Sequence, residues 1–283
     1  MDLWFSETHE TDLRMSVRIK QVLYHRKSQY QDVLVLDTLR FGRMLVLDGC
    51  VMTTERDEFV YHELISHPAL LTVNNPQSVC VVGGGDGGTV REVLKHPTVE
   101  RVVLAEIDQD VIDVCKEFFP GHTSGLTDPR VDIQVGDGFE YLKQHPGEFD
   151  VILSDSTDPI GPGVVLFSSK YFDLAKSAMK QGGCFVTQAE GMWCRSHSAV
   201  SVRNELLNHF KSCEWYGAPI PTYPGGFWSF LIASDAVDFR KIADKSRQKL
   251  IEQSSKFYSS ALHSGLFSMP RFMLLEYENN ISH

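Results

Sequence analysis

The chain has 283 residues, enough for one large domain or a small one beside a larger, and its 42% hydrophobic and 23% charged residues describe an ordinary soluble globular protein. With 37 acids against 27 bases its formal charge is −10, which argues against nucleic acid or an anionic membrane surface as partner and suits cationic ligands. Most of those acids serve solubility.

Residues 16 to about 53 predict short strands joined by tight turns. SVRIKQVLYHRK, QDVLVLDT and FGRMLVLDG carry alternating or β-branched apolar residues, with Gly42 and Gly49 as punctuation. This is a small antiparallel β domain, residues 1–53. The rhythm switches at TTERDEFVYHELISHPALL, where the second domain, 54–283, begins. Thr54 with Asp57 three residues later resembles a capping box, and Phe59, Leu64 and Ile65 follow at helical spacing.

From residue 78 the pattern alternates strand with helix. SVCVVG, RVVLAEI, VDIQV, FDVILS, CFVTQ and FWSFLIAS read as strands; TVREVLKH, DVIDVCKEFF, SKYFDLAKSAMK and HSAVSVRNELLNHF read as helices. Such alternation predicts an α/β fold with a doubly wound, mostly parallel sheet, whose ligands sit at the carboxyl ends of the strands. The last ten residues, LLEYENNISH, are expected to fray. Six cysteines form no CxxC pair and read as core fillers, so a zinc site is not expected. With no cationic N-terminus ahead of an apolar stretch, and no apolar run long enough to span a bilayer, a cytoplasmic location is expected.

The chemistry concentrates at strand ends. Gly83, Gly85 and Gly88 match GxGxxG after a strand and before a helix, a weak signal alone. Glu106 strengthens it, standing some twenty residues on, where a carboxylate accepts hydrogen bonds from ribose hydroxyls. Asp108, beside it, reads as a helix N-cap. Asp137 and Gly138 open the third interval; Asp137 suits either an adenine edge or a cap for FEYLKQ. An acid at three successive strand ends, Asp86, Glu106 and Asp137, favours a nucleoside carried without phosphates, such as a sulfonium nucleoside. A nicotinamide dehydrogenase would want its glycine loop free of acid. In SDSTDPIGPG, Asp155 and Asp158 stand three apart in a loop, since Asp158 precedes a proline. An Asx turn is the structural alternative. Clustered carboxylates call for a cation, a polyamine or, less readily, a metal.

GGGDGG, DSTDP with IGPG, TERDEFVYHE and IPTYPGG, in this chain's order, closely resemble the spermidine synthases, the putrescine aminopropyltransferases. The resemblance runs from WFSE to about residue 272. It implies a methyltransferase-like Rossmann domain behind the β domain, usually a homodimer, and no cofactor or metal, decarboxylated S-adenosylmethionine being a co-substrate. By resemblance, Gln31, His62, Asp86, Glu106, Asp137, Gly138 and Pro162 contact that donor. Tyr61, Asp155, Asp158, Tyr223 and Gln188 form the diamine site, with Asp155 as proton acceptor and Trp4 a weaker match. The implied reaction gives spermidine and methylthioadenosine from putrescine. Its competitors are another amine acceptor, an N-methyltransferase using the intact donor, the dehydrogenase, and a catalytically dead partner, which the complete acid set disfavours.

Overall fold

The computed structural model describes residues 2–9, 13–157, 161–193 and 196–275. Its first sheet holds β1 (Leu3–Thr8), β2 (Arg14–Lys27), β3 (Asp32–Thr38), β4 (Arg43–Leu47) and β5 (Cys50–Thr54), antiparallel and in chain order. The middle three are the predicted strands. β5 follows β4 through a two-residue turn in which Asp48 and Gly49 both take positive φ, 49° and 84°, as a tight hairpin requires. β1 was not legible as a strand because its polarity is reversed: Leu3 and Trp4 are exposed, and the one buried side chain is Glu7.

The helix α1 (Glu58–Thr72) is buried on nearly every side, with only Phe59 less than buried. Its start differs from a capping box. Thr54 Oγ1 donates to Asp57 Oδ1 at 2.5 Å, and Asp57 Oδ2 accepts from the backbone and hydroxyl of Thr222 at 3.1 and 2.7 Å. Asp57 thus ties the helix start to the loop before Tyr223 instead of capping its own helix.

The second sheet contains β6 (Ser78–Gly83), β7 (Arg101–Glu106), β8 (Val131–Val135), β9 (Phe149–Asp155), β10 (Met179–Gly191), β11 (Ser212–Pro219) and β12 (Phe227–Ser234), in the order β11-β12-β10-β9-β6-β7-β8. All pairs are parallel except those of β12, which runs against both neighbours. β11 is an addition to the predicted strands. Its Gly217 breaks the run after Trp215 and Tyr216, because a Cβ there would meet Trp228 O at 2.5 Å. The helices α2 (Gly88–Leu94), α3 (Gln109–Phe118), α4 (Gly138–Gln144), α5 (Ser169–Ala178) and α6 (Ser196–His209) make the connections; α7 (Lys245–Ser254) and α8 (Ser260–Leu266) follow the last strand. Alternation along β6 sends Val79 and Val81 into one core with Leu64, and Cys80 and Val82 into the other with Phe172. Glu63 of α1 anchors the C-terminal segment, accepting from the backbone of Lys256, Phe257 and Tyr258 at 2.7, 2.9 and 2.7 Å.

Strand order reverses between β6 and β9, so their carboxyl ends leave a crevice. The first sheet is docked over it through α3: Val33, Leu45 and Leu47 pack on Val111 and Val114, and Arg43 donates to Phe118 O at 2.6 Å.

Candidate active site

The crevice is a cavity of about 1240 Å³, its open mouth included, lined by the ends of β6, β7 and β9 and by residues of the first sheet. Gln31, Tyr61, His62, Asp86, Glu106, Asp137, Gly138, Asp155, Gln188 and Tyr223 all line it. Pro162 belongs to the 3-10 turn Gly161–Phe167, whose Gly163, Val165 and Leu166 also face the cavity. Asp158 lies outside the described residues. Trp4 is 58% exposed on β1 and stands away from the cavity.

The acids at the strand ends have distinct surroundings. Glu106 accepts from Gly85 N at 3.0 Å and from Asp108 N at 2.9 Å. Burial nevertheless pushes its carboxyl up to about 7. Asp137 does cap α4, accepting from Phe139 N at 2.8 Å, and lines the cavity as well. Asp108 caps α3 and also takes Ser28 Oγ at 2.6 Å and Gln31 Nε2 at 2.9 Å. Gln31 is thereby oriented from the first sheet onto the crevice.

Asp86 is held on both sides. Its Oδ1 accepts from Gly88 N at 2.8 Å, and its Oδ2 stands 3.3 Å from His62 Nε2. His62 in turn contacts Glu58 Oε2 through Nδ1 at 2.6 Å, and Arg91 reaches the same oxygen at 2.7 Å. Burial alone would push His62 down and Asp86 up. The two carboxylates override it: His62 is raised well above the ordinary histidine range, and its charge lowers Asp86. Both ring nitrogens of His62 are thus engaged with carboxylates, and the residue reaches the cavity chiefly by fixing Asp86. Glu58, one helical turn before His62, escaped the sequence reading; its i,i+4 spacing was the available signal. No side chain larger than hydrogen fits at 88, where a Cβ would meet His62 Cε1 at 2.2 Å.

Asp155 pairs in register with Gly83 across β9 and β6. Its Oδ2 accepts from Thr89 Oγ1 at 2.6 Å, and the hydroxyl of Tyr61 hydrogen-bonds it as well. Burial first, and the charge of Asp86 second, raise its carboxyl above the usual range. Burial and Asp155 keep Tyr61 a phenol, so it donates. Tyr61 packs edge-on to Tyr223 at 5.9 Å, and the Tyr223 hydroxyl donates to Met52 O. Gln188 donates to Thr157 O at 3.4 Å and accepts from Glu190 N at 2.9 Å. A partly protonatable carboxylate, a phenol and an aromatic wall suit an amine that must bind as a cation and react as a base.

Gly84 makes this arrangement possible. Its φ is +71°, and a Cβ would lie 2.7 Å from Asp155 Oδ2. Gly84→Ala is expected to leave a folded protein with Asp155 displaced, and hence turnover at least tenfold lower, because misplacing a reacting group by about 1 Å can cost as much as 100-fold. Steady-state kinetics beside a melting curve checks it; normal turnover would show that Asp155 tolerates displacement.

Residues 58–241 match the Spermine/spermidine synthase domain, and residues 3–55 the Spermidine synthase tetramerisation domain. The chain belongs to the spermine/spermidine synthase family. A polyamine aminopropyltransferase of Thermoanaerobacter pseudethanolicus is 45% identical over 273 residues, covering 96% of this chain and 98% of that one. Another, of Clostridium kluyveri, is 43% identical over the same shares. Among solved structures, a spermidine synthase in complex with the transition state analogue AdoDATO has a TM-score of 0.94 at 33% identity, covering 98% and 95% of the two chains. The spermidine synthase of Thermotoga maritima gives 0.91 at 31%, covering 98% and 94%. The chain is an aminopropyltransferase of this family, and the α/β architecture expected from its strand-helix alternation is the one these structures share. Among the described residues, no helix is long and apolar enough to cross a membrane.

Proposed function

We propose that this chain transfers the aminopropyl group of decarboxylated S-adenosylmethionine to putrescine, giving spermidine and methylthioadenosine. The observation that carries this reading is Asp155, half-buried with a raised pKa and hydrogen-bonded by Tyr61 and Thr89, beside a glycine loop whose neighbour Glu106 suits a ribose. The similar spermidine synthase with AdoDATO supports it. The sulfonium needs no acid, cofactor or metal, because it leaves as a neutral thioether. The amine is the difficulty: with a pKa near 10.4, freeing its lone pair at pH 7 costs roughly 4–5 kcal/mol. Asp155 takes the ammonium proton, the freed lone pair attacks the methylene next to sulfur, and the C–S electrons return to sulfur. Each unit by which burial raises Asp155 makes that proton transfer about 1.4 kcal/mol less uphill. Tyr61 and Tyr223 align the amine, and alignment supplies much of the remaining acceleration. Asp158 is included for the distal ammonium, by resemblance.

A homodimer in the cytoplasm completes this reading, and light scattering separates dimer from tetramer. The deciding assay is the product mass after incubation with decarboxylated or intact donor and a panel of amines. A mass increase of one methyl group in place of aminopropyl would overturn the reading.

Glu106 makes donor binding depend on pH. Ribose hydroxyls donate to the ionised form, so binding favours ionisation and weakens as pH falls through about 7. Affinity for methylthioadenosine is expected to be about tenfold lower at pH 6 than at pH 8. Calorimetric titration at the two values checks it, and equal affinities would show that Glu106 does not hold the nucleoside.

A further inference from the structure

Two consecutive residues at the start of α2 each hold one of the central acids. Gly88 N donates to Asp86 Oδ1 at 2.8 Å, and Thr89 Oγ1 donates to Asp155 Oδ2 at 2.6 Å. The Thr89 side chain is wholly buried. Its place would accept the shape of valine, and a buried hydroxyl costs free energy unless it is bonded. A helical threonine can donate back to the preceding turn. This one reaches instead to the end of β9, 66 positions along the chain. The hydroxyl therefore serves the carboxylate and not its own helix.

The two oxygens of Asp155 have different surroundings. Oδ2 is closed in by Thr89 and by Gly84, whose backbone comes so near that a Cβ would lie 2.7 Å away. From α1, Tyr61 donates to the carboxylate and the charge of His62 favours its ionised form, while Asp86 on the glycine loop repels it. Glu106, at the end of β7, repels it as well. We propose that Thr89 is the positioning residue of the proton acceptor: it occupies Oδ2, leaves Oδ1 to take the ammonium proton, and sets how acid a medium the enzyme tolerates. In that step the ammonium N–H bond breaks, an Oδ1–H bond forms, and the freed pair displaces the thioether. The Thr89 hydroxyl favours the ionised carboxylate, so it works against burial and Asp86 and keeps Asp155 able to accept a proton at lower pH. This rests on the aminopropyl transfer proposed above and on Asp155 as its base.

Thr89→Val removes the hydroxyl and keeps the shape, so the melting temperature should hold. The readout is the pH profile of single turnovers with putrescine and decarboxylated donor, both saturating. The acid limb of Thr89→Val is expected about one to two pH units above that of wild type, the size of one lost hydrogen bond to a charged group. Well below the midpoint this reads as roughly 10- to 100-fold slower turnover. Thr89→Ser keeps the hydroxyl and should restore the wild-type limb. Added to Asp155→Asn, Thr89→Val should slow the reaction less than about threefold, because the base through which Thr89 acts is gone. A limb that stays put in Thr89→Val, or moves as far in Thr89→Ser, overturns the proposal, and so does a full loss in the Asp155→Asn background. Should Thr89→Val unfold, Thr89→Ala against Thr89→Ser decides by the same limb. An Asp155→Asn enzyme that keeps the wild-type rate and limb would instead sink the base assigned above, and it is measured before any Thr89 variant.

Discussion

Asp155→Asn is expected to lower kcat by 10²- to 10⁴-fold while both substrates still bind, the range typical of a lost general base. The amide has nearly the same shape. Its oxygen can still accept from Thr89 Oγ1, which contacts Asp155 Oδ2 at 2.6 Å, so the loop after β9 stays where Gly83 and Gly84 receive it. What disappears is the site that takes the proton. Removing the charge also relieves the repulsion from Asp86 that helps raise Asp155, so the nucleoside side should bind no worse.

The pH dependence adds an independent reading. Asp155 accepts a proton only when ionised, and its pKa is raised, so the wild-type rate falls as pH drops through a value above the ordinary carboxylate range. In Asp155→Asn the part of that acid limb seen in kcat should vanish, leaving in kcat/KM the limb due to Glu106. Rapid-quench single turnovers at saturating substrate measure the step directly. A variant keeping more than about a tenth of the wild-type rate would remove Asp155 from the mechanism, since so small a loss is below what base catalysis contributes.

How much of this was legible from the sequence depends on what each residue's pattern reports. The alternation from residue 78 onward gave the parallel sheet because buried strands such as SVCVVG are apolar on both faces and nothing else there is. Glu106, Asp137 and Asp155 were found because strand ends fix where ligands bind, whatever the side chains around them. β11 escaped because close packing on Trp228 selects a glycine, which reads as a break. β1 escaped because its inward side chain is Glu7, inverting the only signal a short strand has. The capping box at Thr54 was misread for a related reason: the residues fit the local motif, yet Asp57 spends its second oxygen on Thr222, 165 positions away. Pairings at such distance leave no trace in local spacing. The same holds for His62, whose partner Glu58 is local but whose other partner, Asp86, comes from the glycine loop.

That last contact sharpens the expected effect of Asp86→Asn. A chain of alternating charge runs from Glu58 through His62 to Asp86, and the last two line the cavity. Decarboxylated donor presents an ammonium to it, and the intact donor adds a carboxylate. In wild type the anionic Asp86 attracts the first and repels part of the second. In the variant His62 keeps its contact with Glu58 at 2.6 Å but loses Asp86, the larger of the two influences that raise it against burial. The group then facing the donor tail is a neutral amide. Affinity for the decarboxylated donor is expected to fall by about 10- to 150-fold, the range for a hydrogen bond to a charged group. Affinity for the intact donor should change little or improve, because its carboxylate no longer meets an anion at 86. Titrating both donors against wild type and Asp86→Asn reads the two shifts together. Asn can keep the bond from Gly88 N, so the glycine loop itself should survive the exchange. A parallel fall for both donors would mean that Asp86 only shapes that loop, and donor selectivity would then have to come from elsewhere in the cavity.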